Sequence, residues 1–418
     1  ARSRVDGRGA APVNLVGNPD NVTQVYSVYG GPTFTTQAGD LSINAAYRAG
    51  YTKVETKDSV VLPAGQQRFV QFDDSVSQLA TASVGMQPGP LPIGWAVSGS
   101  WQREDAGQLD GRFDGKYVRG DVTVPVSPTL ALVGGIGYED IEISERDALR
   151  DAGGVPIVGT DGRLVKDPNS PRLIAYQTDG LIWDAGVLWR PSPRTSVEAR
   201  YGRRYGSDIY IGSLSYRPGR DWAVNVSVYD TVTGFGSLLN DNLAALPTQF
   251  RTTRNPLSGD IGGCAFGQSG GLCLNDALQN ASSAAFRQRG ITASFSGTTG
   301  GWDTGVALGY NRRKAIASSL GAQAVVNGVT DEFFFAAAYL GTNIDQRTRF
   351  ESNIYASYFD SGFASANDVL QTGANAALYR QIIRGLSAKA AVGLDSYRQE
   401  DFDSELTASA LLGLRYSF

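Results

Sequence analysis

The sequence predicts an all-β protein, a transmembrane antiparallel up-and-down β-barrel, and three observations carry that reading. Apolar and polar residues alternate with a period of two from about residue 23 to the last residue. No stretch approaches the roughly 18 consecutive apolar residues of a spanning helix; the densest run is Phe333 to Leu340. The connections between alternating segments switch between short and long, as periplasmic turns and extracellular loops do in such barrels.

The segments justify this in order. The first, near 23 to 37, precedes the turn Ala38-Gly39-Asp40. In 41 to 51, Leu41, Ile43, Ala45, Tyr47, Ala49 and Tyr51 oppose a row containing Ser42, Asn44 and Arg48. In 129 to 139, Leu130, Leu132, Ile136 and Tyr138 oppose Gly135, Gly137 and Glu139. In 181 to 190, Leu181, Trp183, Val187 and Trp189 oppose Asp184, Gly186 and Arg190. The last segment sets Leu406, Leu412, Leu414, Tyr416 and Phe418 against Glu405, Ser409, Gly413 and Arg415.

A soluble sandwich also alternates. Here the segments run to ten or more residues, the length of tilted strands that cross a bilayer. Aromatic residues end the apolar rows (Trp95 and Trp101, Trp183 and Trp189), as interfacial girdles require. The opposite row is small, polar or charged, which a dry core would leave with unpaired buried groups and a wet lumen would not.

Short connections include Val126-Ser127-Pro128, Pro191 to Arg194, Thr298 to Gly301, Thr342 to Asp345 and Arg384-Gly385, all with turn chemistry. Longer ones lie near 57 to 72, 145 to 171, 231 to 285, 315 to 328, 359 to 366 and 398 to 404, and the hairpin at 201 to 208 is a short exception. Counting back from a C-terminus in the periplasm gives about 17 strands. Single-chain bacterial barrels have an even number. The expectation is therefore one single barrel domain over 1–418 that lacks its N-terminal strand or strands, with 18 or more, up to 20 to 22, in the complete protein. Residues 1 to 22 then belong to an extracellular loop.

Composition bounds the function. Hydrophobic residues make up 42% and the mean hydropathy is -0.19, the average polarity of a water-soluble chain. Thirty-seven basic against 41 acidic residues leave a net charge of -4 and no basic stripe, which removes electrostatic support for nucleic-acid binding. There is no histidine, so no Ser-His or His-Asp dyad can activate a nucleophile, and the sequence predicts no enzyme. Nothing calls for a cofactor or a metal. Cys264 and Cys273, in a Gly-rich segment, read as a disulfide closing a small loop in an oxidising compartment, with two free buried thiols as the alternative.

The candidate lumen-lining row, read by parity, is Arg48, Arg119, Asp121, Glu139, Asp184, Arg190, Arg200, Asp303, Arg313, Arg349, Glu351, Lys389, Asp395 and Arg415. Such a row either sets a transverse field that biases passing solutes or pairs across neighbouring strands. Segment 231–285, with Leu238, Leu239, Leu243 and Phe250, either folds over or into the pore with the disulfide stiffening its tip, or remains an exposed loop. Arg200, Arg203 and Arg204 with Tyr201 and Tyr205 form a candidate site for an acidic sugar or a lipopolysaccharide phosphate.

Leu412 to Phe418, with Leu414, Tyr416 and Phe418 on one face, resembles the terminal strand that outer-membrane barrels present to the barrel assembly machinery. The run WRPSPRTSVEARYGRRYG, Trp189 to Gly206, is similar to barrels found beside exosortase and exopolysaccharide loci. Over nearly the whole chain, including Asn255-Pro256-Leu257-Ser258-Gly259-Asp260, the texture resembles alphaproteobacterial outer-membrane barrels often labelled YajC-like. That label belongs to a small single-span inner-membrane subunit, and no spanning helix exists here. The resemblances imply the bacterial outer membrane, with its lipid, lipopolysaccharide and assembly machinery as partners, small solutes or polysaccharide as cargo, and a homo-oligomer as one arrangement. They transfer no ligand residues.

About 16 to 18 strands leave an aqueous lumen unless something fills it. The functional expectation is a porin-like channel for passive diffusion of small hydrophilic solutes, with an exopolysaccharide-export component or a structural surface barrel as the alternative. A receptor with an N-terminal plug is disfavoured, since no plug domain is visible in the chain.

Overall fold

The computed structural model of the chain describes residues 2–6, 22–56, 72–89, 91–219, 221–246, 251–257, 259, 261–267, 270–273, 282–363, 368–400 and 403–417. Phe418, residues 57–71 and most of the expected loop at 1–22 lie outside the described residues, but Arg2–Asp6 of that expected loop is a strand, paired with 22–26.

The first strands are β1 (Arg2–Asp6), β2 (Val22–Gly30), β3 (Thr33–Ala38), β4 (Leu41–Thr56), β5 (Asp74–Met86), β6 (Gly94–Ala106) and β7 (Gly111–Pro125). They continue with β8 (Leu130–Glu145), β9 (Leu173–Ser192), β10 (Thr195–Arg204), β11 (Ser207–Tyr216) and β12 (Trp222–Thr233). Next come helix α1 (Phe235–Ala244) and three short strands, β13 (Arg251–Arg254), β14 (Ile261–Gly267) and β15 (Gly270–Cys273). The series ends with β16 (Ala285–Thr299), β17 (Trp302–Ile316), β18 (Thr330–Asn343), β19 (Thr348–Asp360), β20 (Val369–Ile383), β21 (Leu386–Gln399) and β22 (Glu405–Tyr416).

Apart from β13, β14 and β15, which make their own small sheet, the strands form one antiparallel sheet with each strand bonded to the next in the chain. β2 and β3 are halves of one strand, both paired with β4, so the sheet has 18 strand positions. Setting aside the five-residue β1 leaves 17, the number that the alternation predicts. β22 has β21 as its neighbour, and among the described residues the sheet does not close on itself.

The break between β2 and β3 falls at Gly31-Pro32, where proline supplies no N–H to the ladder. Arg48 restores the bonding. Its guanidinium donates to the carbonyls of Gly31 (2.9 Å) and Pro32 (3.0 Å) and to Thr33 Oγ1 (2.6 Å).

The two faces differ as the alternation requires. Val118 and Val122 on β7, Leu132 and Ile136 on β8, and Leu412 and Leu414 on β22 are exposed, and Leu412 reaches 87%. In water a belt of this kind is an interaction or aggregation surface; in a bilayer it is the face that hydrocarbon covers. Strands such as β4, with 16 residues, and β8, with 16, exceed the roughly 9–11 that cross the hydrocarbon. This is an outer-membrane β-barrel architecture.

β10 and β11 are short, ten residues each, joined by Tyr205-Gly206 with both residues in the left-handed region (φ 55° and 69°). Such a two-residue turn matches the right-handed twist of its strands, and glycine takes the second position without strain. Tyr205 is buried with Phe113, Ile143, Val232 and Ala285, so strands β7 and β8 meet β12 and β16 across the tip of the hairpin.

Candidate functional site

Helix α1 is the first element that fills the concave face. Phe235, Leu238 and Leu239 have helical spacing, which puts them on one side of a single short helix. That side packs on Val25, Val54, Phe72 and Phe286. The alternation shows which face of the wall is involved. Val28, Tyr51 and Val76 are exposed, whereas Ser27, Thr52, Ser75 and Ser77, of opposite parity, are buried beneath the helix.

Polar bonds fix the position of the helix. Glu104 on β6, 4% exposed, accepts the backbone N–H of Gly236 (2.9 Å) and of Ser237 (2.8 Å), two of the donors that the first helical turn leaves unpaired. A wall carboxylate thus caps a helix more than a hundred residues further along the chain. Ser27 donates to Asn240 Oδ1 (2.7 Å), and Asn240 Nδ2 donates to Ser77 Oγ (2.7 Å), which ties the helix to β2 and β5. Gly50 makes room: a Cβ there would collide with Asn240, 2.7 Å from its Cγ. Asp241 is exposed at its surface but has protein packed around it, and its carboxyl is pushed up to about 6, first by burial and second by the charge of Glu104.

The second filling element is the small β13–β15 sheet. Cys264 and Cys273 face each other in register on β14 and β15, 4.0 Å apart at Cα, and form a disulfide. With Phe266 they pack on Ala307, Phe333 and Phe335, which again oppose the exposed Val306, Leu308 and Phe334. Segment 231–285 is therefore no continuous loop: β12 extends to Thr233, and helix and sheet follow before β16. Its Ser258 and Asp260, and Phe250, lie outside the described residues.

The long connections meet above these elements. Glu145 accepts from the backbone of Ser318 (2.9 Å), Asp147 from that of Ala322 (2.8 Å), Arg163 pairs with Asp73, and Lys166 pairs with Asp110 (3.0 Å). Loops of distant strands thus bond to one another over the long-loop end.

Every member of the sequence-predicted lumen row lies on the face opposite the exposed apolar belt, and most are paired. Arg119 bonds Asp121 (2.6 Å) and Asp184 (2.8 Å), and Arg200 bonds the same two carboxylates (3.2 and 3.0 Å), closing a cycle across β7, β9 and β10. Glu139 pairs with Arg204. Arg349 reaches Glu351 (2.7 Å) and Asp303 (3.5 Å), and Asp395 accepts from Tyr355. The Arg313 guanidinium sits 4.4 Å from the Phe286 ring centre. Lys389 lies 5.9 Å from the Tyr379 ring centre, while Arg190 and Arg415 stand exposed near the short turns. Among the described residues no group of three or more metal-ligating side chains occurs, and no helix is long and apolar enough to cross a membrane.

Two readings change. The basic cluster at Arg200, Arg203 and Arg204 is not one site, because alternate residues of a strand face opposite ways: Arg200 and Arg204 point inward to carboxylates, and Arg203 has the parity of the exposed Tyr201. Glu104, Asn240 and Gly50 were not singled out by the sequence. Glu104 stands in an ordinary alternating strand, and its partners are remote.

No protein-family model matches the chain, and no curated protein does. Solved structures do. The ferric enterobactin receptor of Pseudomonas aeruginosa is similar at 9% identity, over 100% of this chain and 72% of that one, with a TM-score of 0.37. The ferric-catecholate import receptor of E. coli K12 is similar at 12% over 94% and 63%, TM-score 0.46. A copper transporter is similar at 8% over 94% and 63%, TM-score 0.42. Such likeness concerns architecture and names no ligand. The passive-porin expectation is corrected to this extent: these neighbours are receptors and a transporter, not passive porins. The physical reason for the correction lies in this chain too, since strand number sets the width of a lumen but says nothing of what the loops place inside it.

Proposed function

We propose that this protein is an outer-membrane transport barrel, held shut by its own helix α1 and disulfide hairpin, that opens for a specific small solute. The observation that supports this most is the seating of α1, capped by Glu104 and stitched to two strands by Asn240. A freely diffusing channel has no need of an internal helix with wall bonds at its start and its middle.

Unseating α1 exposes Phe235, Leu238 and Leu239, at about 1.5–3 kcal/mol each, or about 5–9 kcal/mol together. Spontaneous opening is then rare. Solute binding that displaces α1 has to supply that energy, by favouring the open state over the closed one. Planar-bilayer recording tests the reading. Wild-type protein should be silent or open only briefly, and Glu104→Ala should open more often. Large, steady, ohmic conductance in the wild type, unchanged in the variant, would overturn it.

A further inference from the structure

The lumen has a second end, and its charge balance is unlike that of the rest. Near the short turns of β18 to β22 the inner wall forms a recess of about 730 Å³. Arg349, Lys389 and Arg415 line it from the inner face, with Arg347 from the turn and Arg380, of outward parity, at its rim, against one carboxylate, Asp345. That carboxylate is already occupied by the backbone N–H of Arg347 (2.7 Å) and the hydroxyl of Thr348 (2.9 Å). Arg349 has its own acidic partners. Among the described residues, Lys389 and Arg415 have none.

Register places these groups close together. Arg349 stands opposite Tyr379, Tyr379 opposite Lys389 and Lys389 opposite Gly413, one inward row across four strands, and Arg415 lies in the adjoining row opposite Ser387. Gly413, opposite Lys389, contributes no side chain where a larger residue would fill the floor. Asn343, Gln381 and Ser387 add neutral hydrogen-bonding groups. Elsewhere in the lumen Arg119 and Arg200 neutralise their carboxylates within the wall. Here cationic charge is left over in a concave, partly walled space, which focuses its field on whatever enters.

We propose that this recess is a binding site for a small soluble anion carrying two or more carboxylate or phosphate groups, held chiefly by Lys389 and Arg415. Short turns mark the periplasmic end of an outer-membrane barrel, so the anion is met on the inner side of the membrane. A planar guanidinium and a lysine ammonium are complementary donors for such a ligand, the one able to grip two oxygens, the other acting as a point charge. The lumenal parity of Lys389 and Arg415 turns them away from lipid headgroups. The site does not depend on how the opposite end of the lumen is closed.

Calorimetric titration of the full chain in neutral detergent with citrate, and separately with inorganic pyrophosphate, tests the assignment. The expected result is saturable one-site binding of at least one of them, weakened by added salt. The Lys389→Gln/Arg415→Gln double variant should lose at least tenfold in affinity, Lys389→Arg/Arg415→Lys should keep most of it, and Lys116→Gln, on the outward face of β7, should not change it. Circular dichroism establishes that each variant keeps its strand content. Saturable heat for neither anion, or equal affinity in the double glutamine variant, would overturn the proposal.

Discussion

Replacing Glu104 with alanine removes the one carboxylate that receives the start of α1. Two hydrogen bonds to it, 2.9 and 2.8 Å long, are lost at once. Bonds with a charged partner contribute about 1.5–3 kcal/mol each, and loss of a helix cap costs about 1–2 kcal/mol. These figures count overlapping contributions, so about 3 kcal/mol is a fair value for the pair. The apolar contacts of Phe235, Leu238 and Leu239 hold about 5–9 kcal/mol, so burial wins and α1 stays seated most of the time. Its excursions nevertheless become about a hundredfold more frequent. Amide hydrogen exchange read by mass spectrometry on the peptide spanning 235–244 should show about that loss of protection, while peptides of β20 and β21 remain as in the wild type. Unchanged protection of the helix would refute the argument that Glu104 secures it.

Other perturbations test the remaining contacts. Gly50→Ala should displace Asn240 and speed exchange in α1 by tenfold or more, with no effect on the disulfide hairpin. Because the carboxyl of seated Asp241 is raised to about 6 from a free value of about 3.9, the seated helix binds the proton more tightly. Seating is therefore favoured at low pH and weakens as pH rises from about 4 through about 6. Bilayer openings should be more frequent at about pH 7 than at about pH 5, and Asp241→Asn should show no such difference. Cys264→Ser with Cys273→Ser should cost the hairpin about 2–3 kcal/mol, seen as proteolytic cleavage within it that the oxidised protein resists. Ile136→Arg, on the exposed belt, should destabilise the barrel in lipid vesicles by about 2–4 kcal/mol; a negligible effect there would argue against lipid contact at β8.

The architecture was legible because alternation is a local signal. Val118 next to Arg119, and Trp183 next to Asp184, disclose two faces and two solvents without knowledge of any partner. The strand count followed from turn chemistry at sites such as Ala38-Gly39-Asp40 and Arg384-Gly385. The contents of the lumen were less legible. Phe235, Leu238, Leu239 and Leu243 carry helical spacing, but over ten residues between a glycine and further loop-like sequence it did not stand out. Glu104 reads like any other polar member of a strand until α1 is placed beside it. Arg48 belongs to the expected row, yet its bonds are to a backbone interrupted by Pro32, a role set by geometry rather than by residue type. The passive-channel expectation failed for the same reason: it was taken from strand number, whereas occupancy depends on contacts between residues far apart in the chain.

The burial of the two sulfurs has a consequence for biogenesis. Cys264 is 1% and Cys273 8% exposed, pressed onto Phe333 and Phe335. Once that contact exists, an oxidising enzyme has no access to either thiol. Oxidation therefore has to come first, before the hairpin settles on the wall, and the completed crosslink is carried into the folded protein.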